Sequence, residues 1–286
     1  MSTQQVSWRA VAFWRVAILV TVLAVWEWGF AARSNLPWLI PEFLDPYFVS
    51  RPSEIWAQFL RMSCLESREG VWIASDEQAF AKCLSRSENN LWIATLVTLR
   101  NTFWGFAIGV GSGFLAGLVL GRSRFLARVF SPYIIAFNSI PRIALVPLII
   151  MIFGLGDASK IVSSLMIVFF LVFFNTYNGV LQTNQDLINV SKLLGASKVQ
   201  QMMKVVIPSA AIWVFSSLTP AFSYSLIGVV VGEFIGAERG LGRVIIEAEG
   251  RGSAPDMMVA ILTLMIIGGL FSKVIDYVQT LLIRGG

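Results

Sequence analysis

The sequence predicts an all-α polytopic membrane protein with six transmembrane helices. Three observations carry this. Of the 286 residues, 56% are hydrophobic and 14% charged, against roughly 25% charged in soluble domains, and the mean hydropathy is +0.71. An apolar layer of ~30 Å needs ~20 helical residues to cross it, and six stretches qualify: about 11–32, 91–120, 130–153, 161–181, 210–235 and 257–283. Lysine and arginine crowd two connections, as cytoplasmic loops do. Arg122, Arg124 and Arg128 share one short turn without an acid, and Lys192, Lys198 and Lys204 lie in the loop 182–208. The expected organisation is a cytoplasmic N-terminus over 1–10 and a single membrane domain over 11–286. Residues 36–90, with five basic residues against eight acids, form an outer loop, and both termini lie inside. The long first apolar run has no small-residue cleavage site after it, so no cleavable signal is expected.

In the first span Trp26 and Trp28 flank Glu27, a pattern of interfacial anchoring with the carboxylate in reach of water. Pro37, Pro41, Pro46 and Pro52 then break the chain into turns. Ser53–Leu60 (SEIWAQFL) predicts a short capped helix with Ile55, Trp56 and Phe59 on the outer leaflet. Residues 61–90 read as an insertion with little periodicity that carries Cys64 and Cys83. In an oxidising compartment these two could pair, and the residues leave a disulfide and two thiols equally open. With no histidine and two cysteines, a four-ligand zinc site cannot be completed, so no metal site is expected. The net charge of +5 needs no nucleic acid to explain it.

The second span repeats glycine every fourth residue: Gly105, Gly109, Gly113, Gly117 and Gly121. On a helix these form one smooth stripe against which a neighbouring backbone can pack. A phosphate-binding loop would need a preceding strand and a terminal Gly-Lys-Ser/Thr, and has neither. Arg100 cannot face lipid cheaply and should point into the bundle or toward water. In the third span, SPYIIAFNSIPRIALVPL (131–148) sets Pro132, Pro141 and Pro147 beside Asn138, Ser139 and Arg142. At ~1.5 Å per residue Arg142 lies ~18 Å beyond Phe130, near the midplane. Two readings stand: a proline kink with Arg142 bonded to a buried carbonyl, or the lining of a solute path where Arg142 attracts an anion or gates. The fifth span adds Thr219-Pro220, Ser223, Tyr224 and Ser225 and ends on Glu233. The candidate path is therefore Arg100, Asn138, Ser139, Pro141, Arg142, Ser223, Tyr224 and Glu233. Beyond it, GEFIGAERGLGRVIIEAEGRG (232–252) is a glycine-punctuated outer loop with a short helix near Leu241–Glu249, its mixed charges suited to a soluble partner.

The loop 182–208 predicts two helices joined by a sharp turn. Leu187, Val190 and Leu194 recur at helical spacing, and Gly195 stands where a left-handed residue ends a helix. Ser197 with Gln200 is a capping box for the next helix, Met202, Met203 and Val206 give that helix an apolar face, and Pro208 marks the start of the next span. An amphipathic hairpin on anionic lipid would look similar.

The spacing of Asn189-Val190-Ser191, Gly195, Val205, Ile207 and Pro208 resembles the cytoplasmic coupling loop of ABC-importer permeases, with Asn-Val-Ser in place of the family's Glu-Ala-Ala. Together with RPSEIWAQF (51–59), SIPRIALVPLIIMIFGLGDASKI (139–161), LGAS (194–197) and GEFIGAERGLG (232–242), the block from Ser53 to Gly286 resembles the permease subunit of the nitrate/sulfonate/taurine branch. Arg142 and the Cys-bearing insertion depart from its pattern. The resemblance implies a type I importer fold in a bacterial inner membrane and a homodimer with the path at its two-fold interface. It implies two ATPase subunits below, which hold ATP and Mg, and a periplasmic substrate-binding protein above. This chain would carry no cofactor and no catalytic residue, and Asn189, Val190, Ser191, Leu194, Gly195, Ala196, Ser197 and Pro208 would transmit ATPase closure to the helices. The solute would be small and polar or anionic.

The alternative class is a secondary transporter driven by an ion gradient. It would show an internal repeat and paired ionisable residues at the midplane, and no convincing repeat is present. A membrane enzyme would need histidine, a metal constellation or an acid pair within the spans, and none is found.

Overall fold

The computed structural model of the chain describes residues 8–35, 50–65 and 90–284, with isolated positions between 76 and 83. Every regular element among the described residues is helical. They are α1 (Trp8–Asn35), α2 (Pro52–Met62), α3 (Leu91–Arg122), α4 (Arg124–Ser139), a 3-10 turn (Arg142–Leu145), α5 (Val146–Phe153) and α6 (Asp157–Leu181). There follow α7 (Gln185–Leu193), α8 (Lys198–Gln201), a π turn (Met202–Val206), α9 (Ile207–Phe234), α10 (Leu241–Gly250) and α11 (Ala254–Arg284). Two compact units form: the described residues up to Leu91 with Val244–Leu262, and Trp92–Arg243 with the residues from Thr263 on.

In the first unit, none of the apolar window Ala10–Gly29 of α1 is buried, as suits a helix whose neighbour is lipid. Glu27 is open to water, as expected, and also accepts the Ser53 backbone N–H at 3.0 Å and the Ser53 hydroxyl at 2.7 Å. Ser53 is thereby withdrawn from capping. Helix α2 starts a residue earlier, with Pro52 in its first turn and no side-chain cap, because proline is pre-set for that position. Ile55, expected on the leaflet face, is buried, while Trp56 is exposed and stacks on Phe59. Gln58 donates to the carboxylate of Asp256, which also pairs with Arg251 at 3.5 Å. Cys64 and Cys83 are joined in a disulfide with Cα atoms 5.9 Å apart. The rest of the expected insertion, residues 66–75 and most of 77–89, lies outside the described residues, as do 36–49.

The second unit is built on α6. A Cβ added to Gly105, Gly109, Gly117 or Gly121 would fall 2.3–2.8 Å from Ser164, Val168, Thr176 or Val180 in turn, and one added to Gly113 would fall 2.6 Å from the Phe169 carbonyl oxygen. These positions on α6 also repeat every fourth residue, so two ridges of equal period lie side by side. Helix α9 covers the other flank of α6. Gly228 meets the Ser164 backbone, the Ser164 and Ser225 hydroxyls lie 2.6 Å apart, and Ser225 donates to the Thr102 carbonyl at 2.9 Å. Three helices thus share one polar junction inside an apolar core of Val168, Val172, Val214 and Ala221. The far part of α11 joins through Phe271, stacked on Phe222 with ring centroids 3.4 Å apart.

The third span is broken, as its prolines predict. Helix α4 ends at Ser139, Ile140 is extended, and the chain resumes as the 3-10 turn and the short α5. Pro141 explains the break, since it lacks an N–H and drives the residue before it out of the helical region. Among the described residues five helices are therefore long and apolar enough to cross a membrane, with Arg142–Phe153 a shorter apolar piece. The fifth span, expected from 210, is continuous from Lys198 to Phe234. Pro208 stands in the first turn of α9, as expected, and the chain runs into it without a break because the preceding residues widen into a π turn, with the Ile207 N–H donating to Met202 O. That wider turn relieves the clash a proline ring makes with the carbonyl four residues back.

Candidate functional site

The hairpin 185–208 begins where the Asn184 side chain accepts the Asp186 N–H at 2.7 Å. At the end of α7, Ala196 donates to Ser191 O at 3.0 Å and Gly195 to Lys192 O at 2.9 Å. These two bonds are a Schellman closure, which needs a left-handed residue between them. Gly195 supplies it at φ +77°. Ser197 and Gln200 complete the reciprocal capping box of α8. Ile188 and Val206 fasten the hairpin to the bundle in a cluster with Leu118, Val180 and Ala210. The apolar set expected along the hairpin therefore divides. Val206 is buried and Met202 half-buried, but Leu187, Val190, Val199 and Met203 are exposed, and Leu193 and Leu194 are 87% and 82% exposed. Lys192, Lys198 and Lys204 lie on the same segment. Contiguous exposed apolar surface rimmed by charge is the usual form of a protein contact not yet made.

The broken segment presents Arg142 at the head of its 3-10 turn, with the guanidinium carbon 5.3 Å over the Phe170 ring. Tyr224, exposed on α9, lies in electrostatic range of it. Ser139 donates to Ile135 O at 3.0 Å and Ser223 to Thr219 O at 3.5 Å, both exposed. Pro141 precedes the turn and Ala144 donates to its carbonyl at 2.9 Å. The Asn138 side chain lies outside the described residues.

Of the two other charges placed on the path by sequence, Arg100 is half exposed, as expected, and Glu233 is buried. Arg100 pairs with Asp157 at the start of α6. Glu233 is 1% exposed and turned into the protein. The Thr98 hydroxyl is shared between its two oxygens at 2.9 and 3.1 Å, and the Gly242 N–H reaches Oε2 at 2.8 Å. Thr98 Oγ1 in turn accepts the Leu241 N–H at 2.9 Å. A Cβ on Gly240, whose φ is +135°, would lie 2.3 Å from the same carboxylate. Glu233 thus knots the end of α9 to the first residues of α10, which explains why glycine stands at 240 and 242. Thr98, Asp157 and Lys160 went unnoticed in the sequence. Asp157 and Lys160 stand in the passage GDASK, but a threonine inside an apolar run ordinarily bonds its own helix and signals nothing.

Replacing Glu233 with alanine strands the Gly242 N–H and opens a void. We expect a loss of about 2–4 kcal/mol, read as a lower unfolding midpoint and faster proteolysis at 236–242. Glu233→Gln, which keeps an acceptor, should lose less. Equal midpoints for Glu233→Ala and the parent would contradict this.

Residues 109–285 match the family model described as the binding-protein-dependent transport system inner membrane component. A probable ABC transporter permease protein of Haemophilus influenzae is 35% identical over 196 residues, 68% of this chain and 80% of that one. A putative aliphatic sulfonates transport permease protein of Bacillus subtilis is 27% identical over 188 residues, 66% of this chain and 68% of that one. Among solved structures, a chain of the methionine ABC transporter MetNI in an inward-facing form superposes with a TM-score of 0.58 at 25% identity. That match covers 67% of this chain and 97% of the other.

Proposed function

The chain belongs to the family of binding-protein-dependent transport system inner membrane components, and on that premise we propose that two copies of it enclose the path by which an ATP-driven importer takes up a small polar or anionic solute. It is an ABC-importer permease subunit, a transport component rather than an enzyme. In the proposed assembly two ATPase subunits bind ATP and Mg and grip the 185–208 hairpin, and a periplasmic binding protein delivers the solute to the opposite face. Both termini are cytoplasmic in a bacterial inner membrane. The relative named for aliphatic sulfonates and Arg142 on the broken segment support an anionic solute. Asn138, Ser139, Pro141, Arg142, Ser223 and Tyr224 are the proposed path residues, and Asn189, Val190, Ser191, Leu194, Gly195, Ala196, Ser197 and Pro208 the coupling ones.

The observation that carries this reading is the exposed leucine pair at the tip of α7. Leu193 and Leu194 touch little of their own chain, yet the turn beneath them is held by a Schellman closure and a capping box. A rigid support for apolar side chains with nothing against them is what a docking element requires. A photo-crosslinking residue at Leu194 in the intact complex is expected to capture the ATPase subunit. Capture of the binding protein, or modification of this position by an impermeant reagent from outside the cell, would overturn the assignment.

A further inference from the structure

Charged groups gather around a cavity of about 430 Å³ in the second unit, walled by α3, the start of α6 and the segment after α9. The volume is within the range of about 300–1,000 Å³ typical of small-molecule sites. Arg100, Lys160 and Arg239 line it together with Asp157 and Glu238, and Glu233 lies in electrostatic range of Lys160 just beyond the wall. The wall groups come from the first third of α3, the first turn of α6 and the residues after α9, so the cavity lies toward the end of the bundle where α6 begins and α9 ends.

Its charges are not equivalent. The Asp157 carboxylate is already held by the Arg100 guanidinium and by Asn101 Nδ2, at 3.0 Å for the latter. Lys160 is 3% exposed, but its ammonium lies 3.8 Å from Asp157 Oδ1, too far for a hydrogen bond. It makes no hydrogen bond among the described residues. Glu233, in electrostatic range of Lys160, is committed to Thr98 and Gly242. An ammonium carries three donors, and removing it from water without acceptors is costly. Were the position only structural, an apolar side chain of similar length would avoid that cost.

We propose that this cavity is a binding site for a monovalent carboxylate or sulfonate, built wholly from one subunit, with Lys160 as its buried ligand and Arg239 and Arg100 closing on the anion from the open side. Glu238 on the same wall repels a second negative charge, which sets monoanions above dianions. The proposal deepens the importer reading and rests on it for the solute's onward route, but not for binding itself.

The probe is trifluoroacetate, followed by fluorine NMR with the full chain in phosphatidylcholine nanodiscs. Saturable broadening is expected, displaced by methanesulfonate more readily than by sulfate. Lys160→Met should weaken binding about tenfold or more, the scale of one charge-assisted hydrogen bond, and Arg239→Gln, on the exposed wall, should weaken it less. No saturable broadening, or parent affinity in both variants, overturns the site. If Lys160→Met does not fold, Arg239→Gln decides alone. Displacement of the probe by soluble glycerophosphoglycerol in phosphatidylcholine nanodiscs, more readily than by methanesulfonate, would show that a lipid headgroup fills the cavity and would overturn the solute assignment. A chain that binds the probe but does not import when assembled with its ATPase keeps the site and loses the importer reading. Import without any probe binding does the reverse.

Discussion

Changing Leu193 and Leu194 together to glutamine is expected to abolish ATP-driven uptake while leaving the chain folded in the membrane. Both side chains are more than four-fifths exposed, so the fold loses nothing by their removal. If they are buried in a groove of the ATPase, each contributes about 2 kcal/mol, and losing both weakens that contact about a thousandfold. Glutamine is the better replacement because aspartate would set a negative charge at the carboxyl end of α7, against the helix dipole. The measurement is co-purification of the ATPase together with uptake into vesicles, and uptake at the parent rate with the ATPase still bound would sink the docking idea. Gly195→Leu asks a separate question. Nothing stands within 4 Å of a Cβ there, but φ is +77°, so the penalty is backbone strain of about 1–2 kcal/mol and the expected loss of coupling is partial.

Gly113→Leu is expected to prevent recovery of folded protein, whereas Gly111→Leu, two residues away on the same helix, should be tolerated. A Cβ at 113 would lie 2.6 Å from the Phe169 carbonyl oxygen and 3.1 Å from the Phe173 nitrogen, and one at 111 would meet nothing within 4 Å. At Gly109 and Gly121 the nearest opposing atoms are a valine Cβ, at 2.8 and 2.7 Å, and one of its methyls, of which only the methyl can turn aside. At Gly113 they are helix backbone, which can yield only if α3 and α6 move apart along their whole contact. Gly113→Ala, a smaller intrusion, should cost about 1–3 kcal/mol, read as a lowered unfolding midpoint in detergent. Equal midpoints for the alanine variants at 111 and 113 would show that the two helices do not pack through this stripe.

Several features could be read from the residues because each depends on neighbours in the chain. The left-handed turn at Gly195 and the capping box at Ser197 follow from local backbone geometry, and the break at Pro141 from a missing N–H. The glycine period of α3 announced a contact without naming its partner. Other readings went astray where the outcome depended on distant groups. Ser53 looked like a cap but was claimed by Glu27, and Ile55 looked lipid-facing but was buried. Glu233 rested on the plain inference that a charge within a span faces a path, and it is buried instead. Its actual partners, Thr98 and Gly242, are separated from it in sequence or carry no signal of their own.

Composition and periodicity by themselves determined that this chain is a helical membrane protein, where its apolar segments lie and which of them is broken, because lipid forces every backbone group into internal hydrogen bonds and leaves helices as the available answer for such segments. Only the tertiary structure decided which charges are satisfied and which are left wanting. Burial and pairing are properties of groups brought together across the fold: Glu233 is quenched by a threonine and a backbone amide, while Lys160, equally buried, stands beside a carboxylate already taken. That difference, invisible in the linear order of residues, directs attention to the cavity and to the exposed leucines of the hairpin as the places where this subunit still has contacts to make.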